Sequence, residues 1–188
     1  MMTKTLAANG AKKIYIIGRR AEKLDEAASL APSVIIPIQG DVTSKSDLSR
    51  ISSQIQSQEG YIDLLICNSG MLGPNVSVPP GGEVEIDEYA SKAFEMDMAS
   101  FNQTMNVNVA AVLWTAYAFL GLLGKGNEKK NYLAGQVKSQ IIVTASIAAY
   151  NKLPNTGLAL VFSLLLVIIT VHYSSSFFLC FAHTEGCK

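Results

Sequence analysis

The sequence predicts an α/β fold in which buried parallel strands alternate with the helices that cover them. Four short apolar runs recur along the chain, and the stretches between them carry apolar residues at helical spacing. A strand that is apolar throughout is typical of a parallel sheet covered on both faces. Right-handed crossovers then bring the carboxyl ends of the strands to one edge of the sheet, where such folds bind ligands.

The predicted strands are short and rich in Ile, Leu and Val. They cover Ile14–Ile17, Val34–Ile38, Ile62–Ile66 and Gln140–Thr144. A first helix, ended by the cap Asn9-Gly10, precedes them. Further helices are predicted over Ala21–Leu30, from Thr43 or Ser44 onward, and from about Ile86 to Leu123 with a break near Asp97–Asn102.

Helical spacing also predicts which side chains are buried. Those of the second helix are Leu24, Ala27, Ala28 and Leu30, and those of the third are Leu48, Ile51 and Ile55. Loops are predicted over Met71–Glu83 and Gly124–Gln136. The run Gly121–Gly126 resembles a dinucleotide-binding glycine loop, but it follows a helix instead of a strand, so we interpret it as a helix end.

Length and charge limit the possible functions. The 188 residues suit one domain, and 15 basic against 15 acidic residues leave no electrostatic footprint for nucleic acid. Cys67, Cys180 and Cys187 have neither a disulfide pattern nor metal-ligand spacing, so we expect no metal and a reducing, cytoplasmic setting. The amino end lacks the apolar core of a signal peptide.

The carboxyl-terminal part differs from the rest in composition. No Asp, Glu, Lys or Arg occurs from Leu153 to Thr184, and Leu158–Val171 is the most apolar part. That length exceeds the roughly 20 residues of a membrane-spanning helix. We therefore divide the chain into a domain over residues 1–159 and an apolar tail over residues 160–188, and expect membrane contact only if the tail inserts.

Three predicted strands end in polar or glycine-rich signatures. These are Gly18-Arg19-Arg20, Gly40-Asp41-Val42-Thr43 and Cys67-Asn68-Ser69-Gly70. The carboxyl ends of parallel strands share one edge of a sheet, so these residues are candidates for nucleotide contacts.

Five blocks of the sequence resemble, in order and spacing, the short-chain dehydrogenase/reductase family. They are Lys13–Leu24, Gly40–Thr43, Leu64–Gly70, Asn106–Ala111 and Ile141–Ala149. The resemblance extends from residue 1 to about residue 159. It implies a doubly wound, Rossmann-like parallel sheet and an oxidoreductase that moves hydride between a nicotinamide dinucleotide and a small carbonyl or alcohol substrate.

The resemblance also implies which residues bind the cofactor. Arg19 would bind a 2′-phosphate, which favours NADP over NAD, although NAD stays possible. Asp41 would bind the adenine amine with Val42 beside the ring, or it caps the next helix. Asn68 contacts the cofactor or locks neighbouring strands. The full set is Gly18, Arg19, Asp41, Val42, Asn68, Ser69 and Gly70.

Two residues match the family's catalytic positions. Ser146 matches the serine that hydrogen-bonds the substrate oxygen, and Asn108 matches the asparagine that holds a water in the proton relay. Asn106 is a similar residue on another face of the same helix. Cys67 replaces a more usual Asn, and we interpret it as a buried packing thiol.

The sequence departs from the family pattern in two places. The family's first strand and the glycine-rich turn that follows it are absent, and none of the seven tyrosines has a Lys four residues later. In the family, a catalytic Tyr is followed four residues later by a Lys. That Lys lowers the pKa of the Tyr so that the Tyr donates the proton, and the glycine-rich turn binds the pyrophosphate. We therefore expect an incomplete sheet, in which two inner strands lack a neighbour, and no turnover by this polypeptide alone.

Three interpretations remain open. The first is a truncated reductase whose tail is not a native segment. The second is a non-catalytic relative anchored in a membrane by its tail, which the sparse flanking charges disfavour. The third is a reductase that takes its acid/base from a partner chain. The resemblance allows a homo-oligomer for a full-length relative.

Overall fold

The computed structural model describes residues 2–77, 84–129 and 138–146. Strands alternate with helices along the chain, as predicted. The helices are α1 Met2–Ala8, α2 Ala21–Ala28, α3 Lys45–Gln58, α4 Ile86–Phe94, α5 Met98–Met105 and α6 Ala111–Lys129, with a π-helical segment at Asn106–Ala110. The strands are β1 Ile14–Gly18, β2 Ile35–Gln39, β3 Leu64–Cys67 and β4 Gln140–Val143.

The chain divides into two compact units, Met1–Gly60 and Tyr61–Lys188. In the first, β1 and β2 are parallel, with Ile14 opposite Ile35. Helix α3 begins at the N-cap Ser44, whose hydroxyl oxygen accepts a hydrogen bond from the backbone N–H of Asp47 at 3.2 Å. Its predicted apolar face is buried, and the core of this unit comprises Leu24, Ile35, Ile38, Leu48, Ile51 and Ile55.

Helix α2 is shorter than predicted. It ends at Ala28, and the backbone N–H of Ser29 donates to the carbonyl oxygen of Asp25. Leu30, which was predicted on the buried face, therefore follows the helix and is 63% exposed. The predicted cap of α1 is confirmed, because Gly10 has a φ of 88° and the backbone N–H of Ala11 donates to the carbonyl oxygen of Leu6.

The second unit is built on the parallel pair β3 and β4, with Leu64 opposite Gln140. Helix α6 packs on these strands and buries Phe119, Leu122 and Leu123. Strand β3 begins two residues later than predicted. The backbone N–H of Ile62 donates instead to the carbonyl oxygen of Leu122 in α6, at 3.2 Å.

Helix α6 continues through residues that were predicted to form a loop. It ends at Lys129 and includes Gly121, Gly124 and Gly126. Gly126 is buried against the backbone of Ile62, where a Cβ atom would also lie 2.6 Å from Ser139 Oγ. These glycines therefore belong to a packed helix and not to a nucleotide-binding loop.

The break in the long helical region lies at residues 95–97, mostly before the predicted interval Asp97–Asn102, because residues 98–102 belong to α5. Asp97 caps α5, with Oδ2 accepting from the backbone N–H of Ser100 at 2.7 Å. The side-chain hydrogen bond between Ser100 and Asp97 lowers the pKa of Asp97, and the backbone N–H of Ser100 lowers it further.

Within the described residues, the strands form two sheets of two strands each, with the orders β1-β2 and β3-β4. Each strand therefore has one neighbour there, in keeping with the incomplete sheet that the sequence predicts. The division into residues 1–159 and 160–188 stays a prediction, because the tail lies outside the described residues.

Candidate functional site

In the first unit, the carboxyl ends of β1 and β2 bring two of the predicted signatures together. The backbone N–H of Gly40 donates to the carbonyl oxygen of Gly18 at 2.9 Å. The Gln39 side-chain amide donates to the carbonyl oxygen of Arg19, also at 2.9 Å. Gly18, Arg19 and Asp41 therefore lie at one edge of this sheet, and the Arg19 side chain is exposed.

Asp41 begins a tight polar turn. Its Oδ1 accepts from the hydroxyl of Thr43 at 2.7 Å and from the backbone N–H of Thr43 at 2.8 Å. These bonds to Thr43 lower the pKa of Asp41, and the nearby positive charge of Arg19 lowers it further. Asp41 is therefore ionised at neutral pH. The alternative role as the cap of α3 is wrong, because Ser44 provides that cap.

Two polar residues of α3 also belong to this edge and were not predicted from the sequence. Asp47 Oδ2 accepts from the backbone N–H of Asp41 at 2.8 Å, and Arg50 donates to the carbonyl oxygen of Gln39 at 2.8 Å. Ser44 and Asp47 have the spacing of a capping box, a signal that could have identified Asp47. A side chain at Gly40 would displace the buried Ile51 side chain, since a Cβ atom would lie 2.6 Å from Ile51 Cδ1.

In the second unit, Asn68 follows β3 and joins the ends of the two strands. Its Oδ1 accepts from the Thr144 hydroxyl at 3.0 Å, while the Thr144 backbone N–H donates to the carbonyl oxygen of Cys67, also at 3.0 Å. This geometry matches the strand-locking role of Asn68. Thr144 was not singled out in the sequence, where it reads as the last residue of a strand.

Asn108 holds the loop that follows β3. Its Oδ1 accepts from the backbone N–H of Met71 at 2.9 Å, and its Nδ2 donates to the carbonyl oxygen of Met71 at 2.8 Å. Gly70 lies against this contact, because a Cβ atom on it would be 3.4 Å from Asn108 Oδ1. Asn106 is exposed, so the two asparagines differ as the sequence predicts.

Asn108 lies within the π-helical segment Asn106–Ala110, between α5 and α6. Short π-helical segments inside α-helices are frequent at functional sites, because the extra residue in the turn changes where side chains point. No feature of the sequence predicted this segment.

Ser146 is exposed three residues beyond the end of β4. Asn68 directly follows β3, the parallel neighbour of β4, so both residues follow the same edge of this sheet. The second unit therefore brings Asn68, Ser69, Gly70 and Ser146 to the carboxyl ends of its two strands.

Cys67 is buried, with 8% of its surface exposed. Burial raises the pKa of its thiol to about 11. A neutral thiol is a poor nucleophile, so this geometry agrees with a packing role.

Two features concern other kinds of site. Within residues 2–77, 84–129 and 138–146, no three His, Cys, Asp or Glu side chains are grouped so as to hold a metal ion. In the same ranges, Met98–Lys129 alone is long and apolar enough to cross a membrane. Core helices share these properties, and Phe119 and Leu122 of this stretch are buried in the second unit.

The sequence matches a known protein family over most of its length. The family model for short chain dehydrogenase covers residues 1–158. The chain is 42% identical over 157 residues to the short-chain dehydrogenase/reductase PhomF' of Diaporthe leptostromiformis. This alignment covers 82% of this chain and 52% of that protein. It is 37% identical over 164 residues to SAT3 of Stachybotrys chartarum, covering 80% of this chain and 59% of that protein. The chain thus spans about half the length of the curated relatives it matches.

Solved structures share the fold. A 3-ketoacyl-(acyl-carrier-protein) reductase from Brucella melitensis matches with a TM-score of 0.71 at 19% identity, covering 90% of this chain and 61% of that one. An alcohol dehydrogenase from Thermococcus sibiricus matches with a TM-score of 0.66 at 17% identity, covering 92% of this chain and 64% of that one. The fold is therefore the predicted Rossmann-like one, and nothing in these matches supports the membrane-anchored alternative. The chain belongs to the short-chain dehydrogenase/reductase family of oxidoreductases.

Proposed function

We propose that this site serves hydride transfer between a nicotinamide dinucleotide and a small carbonyl or alcohol compound. The observation that carries the proposal is the loop after β3. Asn68 and Met71 are fixed by Thr144 and Asn108, so the backbone of Ser69 and Gly70 is held at the sheet edge that Ser146 also follows. Held backbone with small side chains is what close contact with a flat cofactor requires.

In the first unit, the proposed ligand is the adenosine end of the cofactor. Asp41 is an ionised acceptor, which suits the adenine amine, and Arg19 is an exposed guanidinium, which suits a phosphate. Gly18 and Val42 would line the same edge. Arg19 favours NADP, and the two solved structures described above carry 5-hydroxy-NADP and NADH, so the family fold accepts both kinds of cofactor.

In the second unit, the proposed ligands are the nicotinamide end and the substrate. The bound nicotinamide would supply or accept the hydride. Ser146 would donate a hydrogen bond to the substrate oxygen and so stabilise negative charge that develops there. The Asn108 side chain is already hydrogen-bonded to the backbone of Met71. In a proton relay, Asn108 would therefore hold the water with its backbone carbonyl oxygen.

The adenosine half of the proposal has a direct test. Adenosine 2′,5′-bisphosphate and adenosine 5′-monophosphate differ in the 2′-phosphate, and calorimetry on the 188-residue chain can compare their affinities. We expect Arg19→Gln to weaken the affinity for the bisphosphate by about ten- to hundredfold, since hydrogen bonds to charged groups contribute about 1.5–3 kcal/mol. The monophosphate should bind both proteins equally.

Arg20→Gln is the matched control, because Arg20 is also exposed and lies next in the chain. It should leave both affinities unchanged. An equal loss of bisphosphate affinity in the two variants would mean that the positive charge of this segment, and not Arg19 in particular, causes the effect. No binding of either nucleotide at millimolar concentration would contradict the proposed adenosine site.

A further inference from the structure

Helix α4 exposes an apolar stripe. Ile86, Ala90 and Phe94 are four residues apart and therefore lie on one face of the helix. Ile86 is 82% exposed and Phe94 is 94% exposed, and no residue of α4 is buried. Tyr89 and Ala93 lie beside this stripe and are half-buried.

This exposure differs from that of single surface leucines, which are common and need no explanation. A nine-residue helix is marginally stable in isolation, because nucleation is costly and few hydrogen bonds repay it. Such helices are stabilised mainly by burial of an apolar face. The stripe of α4 therefore requires a cover that the described residues do not provide.

Charge limits what this cover is. Lys92 is the one basic residue from Val84 to Met98, and it is paired with Glu88 at 2.6 Å. Four further acidic residues lie along the same stretch: Glu85, Asp87, Glu95 and Asp97. A second copy of α4 or an anionic lipid surface would bring negative charge against negative charge. An uncharged apolar segment would not.

We propose that Leu158–Val171 of the same chain covers the stripe of α4. This segment is apolar and lies within a stretch without Asp, Glu, Lys or Arg. Twelve residue steps separate Ser146 from Leu158, which allows a reach of about 40 Å. Attachment to the same chain gives an effective concentration on the order of millimolar. The proposal is independent of the proposed hydride transfer.

Photo-crosslinking of the purified 188-residue chain tests the contact. Phe94 is replaced by p-benzoylphenylalanine, which keeps an aromatic ring, and crosslinked peptides are mapped by mass spectrometry. We expect crosslinks within the monomer to residues 158–171. The same probe at Ser91, which is exposed on the polar face of α4, is the control and should give none there.

The other possible covers give different results, and each would overturn the proposal. Crosslinked dimers would assign the stripe to a second copy. Crosslinks to lipid when phosphatidylcholine vesicles are present, with none to residues 158–171 in the presence or absence of vesicles, would assign it to a membrane. Crosslinks elsewhere, or at equal yield from Ser91, would show that the segment does not select this face.

Hydrogen exchange provides a second measurement without a bulky probe. Phe94→Asp should raise the exchange rate of amides in residues 158–171 severalfold, whereas Ser91→Asp should not. Phe94 is 94% exposed, so its substitution should leave the exchange of the buried Phe119 amide unchanged. Equal exchange of residues 158–171 in both variants would refute the contact.

Discussion

Asn108 uses both polar ends of its side chain on one peptide backbone. The carboxamide donates to the carbonyl oxygen of Met71 and accepts from the N–H of the same residue. Asp at this position could accept but not donate, and Leu could do neither, so the pairing requires a carboxamide. The sequence identified Asn108 by its place in a motif, but its partner could not be predicted, because Met71 is 37 residues away.

We expect Asn108→Ala to lower the free energy of unfolding by about 1–3 kcal/mol, since two hydrogen bonds are lost. The amide of Met71 should also exchange faster with solvent. Urea denaturation and hydrogen exchange measure the two effects. Asn106→Ala is the matched control, because Asn106 is exposed in the same helical segment and should stay within about 0.5 kcal/mol of the parent chain. Equal effects of both substitutions would contradict this role.

Tyr15 gives the first unit a pH dependence at high pH. Its hydroxyl lies 2.8 Å from Glu59 Oε1 and 3.0 Å from Gln58 Oε1. Burial, together with the hydrogen bond and the charge of Glu59, raises the pKa of Tyr15 from an ordinary value of 10.0 to about 12. The raised pKa means that the folded chain holds this proton more tightly than the unfolded chain does.

The contribution of Tyr15 to stability is therefore complete below about pH 10 and is lost as the pH rises toward 12. We expect the parent chain to lose more stability than Tyr15→Phe between pH 10 and pH 12. Urea denaturation at several pH values measures the difference, and tyrosinate absorbance should show Tyr15 ionising late. If the free energies of unfolding of the two proteins fell in parallel from pH 10 to pH 12, this role of Tyr15 would be contradicted.

Among the secondary-structure elements, α3 was well predicted and α6 was not. The buried face of α3 follows from the spacing of Leu48, Ile51 and Ile55, and its cap is one of the two residues proposed. The extent of α6 could not be predicted, because three glycines read locally as a helix end. Gly126 is instead required by the close approach of Ile62, a contact between residues far apart in the chain.

Two glycines of α6 should therefore respond oppositely to a methyl group. Gly126→Ala should destabilise the chain by about 1–3 kcal/mol, because the Cβ atom would overlap the Ile62 backbone and approach Ser139 Oγ. Gly124→Ala meets nothing within 4 Å and should stabilise the helix by up to about 1 kcal/mol. Thermal or urea unfolding compares them. A neutral Gly126→Ala would show that this packing is wrong.

At the scale of the whole molecule, the alternation of strands and helices followed from periodicity alone, and so did the parallel pairing. The sequence also identified the residues that follow each strand. It could not identify their partners Met71 and Thr144, which are set by how elements meet, whereas the spacing of Ser44 and Asp47 could have indicated Asp47. The π-helical segment at Asn106–Ala110 is likewise a product of packing and has no local signal.

The catalytic capacity of the 188-residue polypeptide can be tested directly. None of its seven tyrosines precedes a Lys by four residues, so it lacks the expected proton donor. We expect no NADPH consumption above a no-protein control with a panel of aldehydes and ketones, followed by absorbance. Ser146→Ala should be equally inactive. Consumption by the parent chain that Ser146→Ala abolishes would refute this expectation.

The burial of Cys67 makes this thiol a natural reporter on the second unit. Its sulfur is shielded at the end of β3 and stays protonated at neutral pH, so an alkylating reagent should reach it only during transient opening. In a chain whose Cys180 and Cys187 are replaced by Ser, the labelling rate would then measure how often this strand end opens. The same assay would reveal whether a bound ligand closes it.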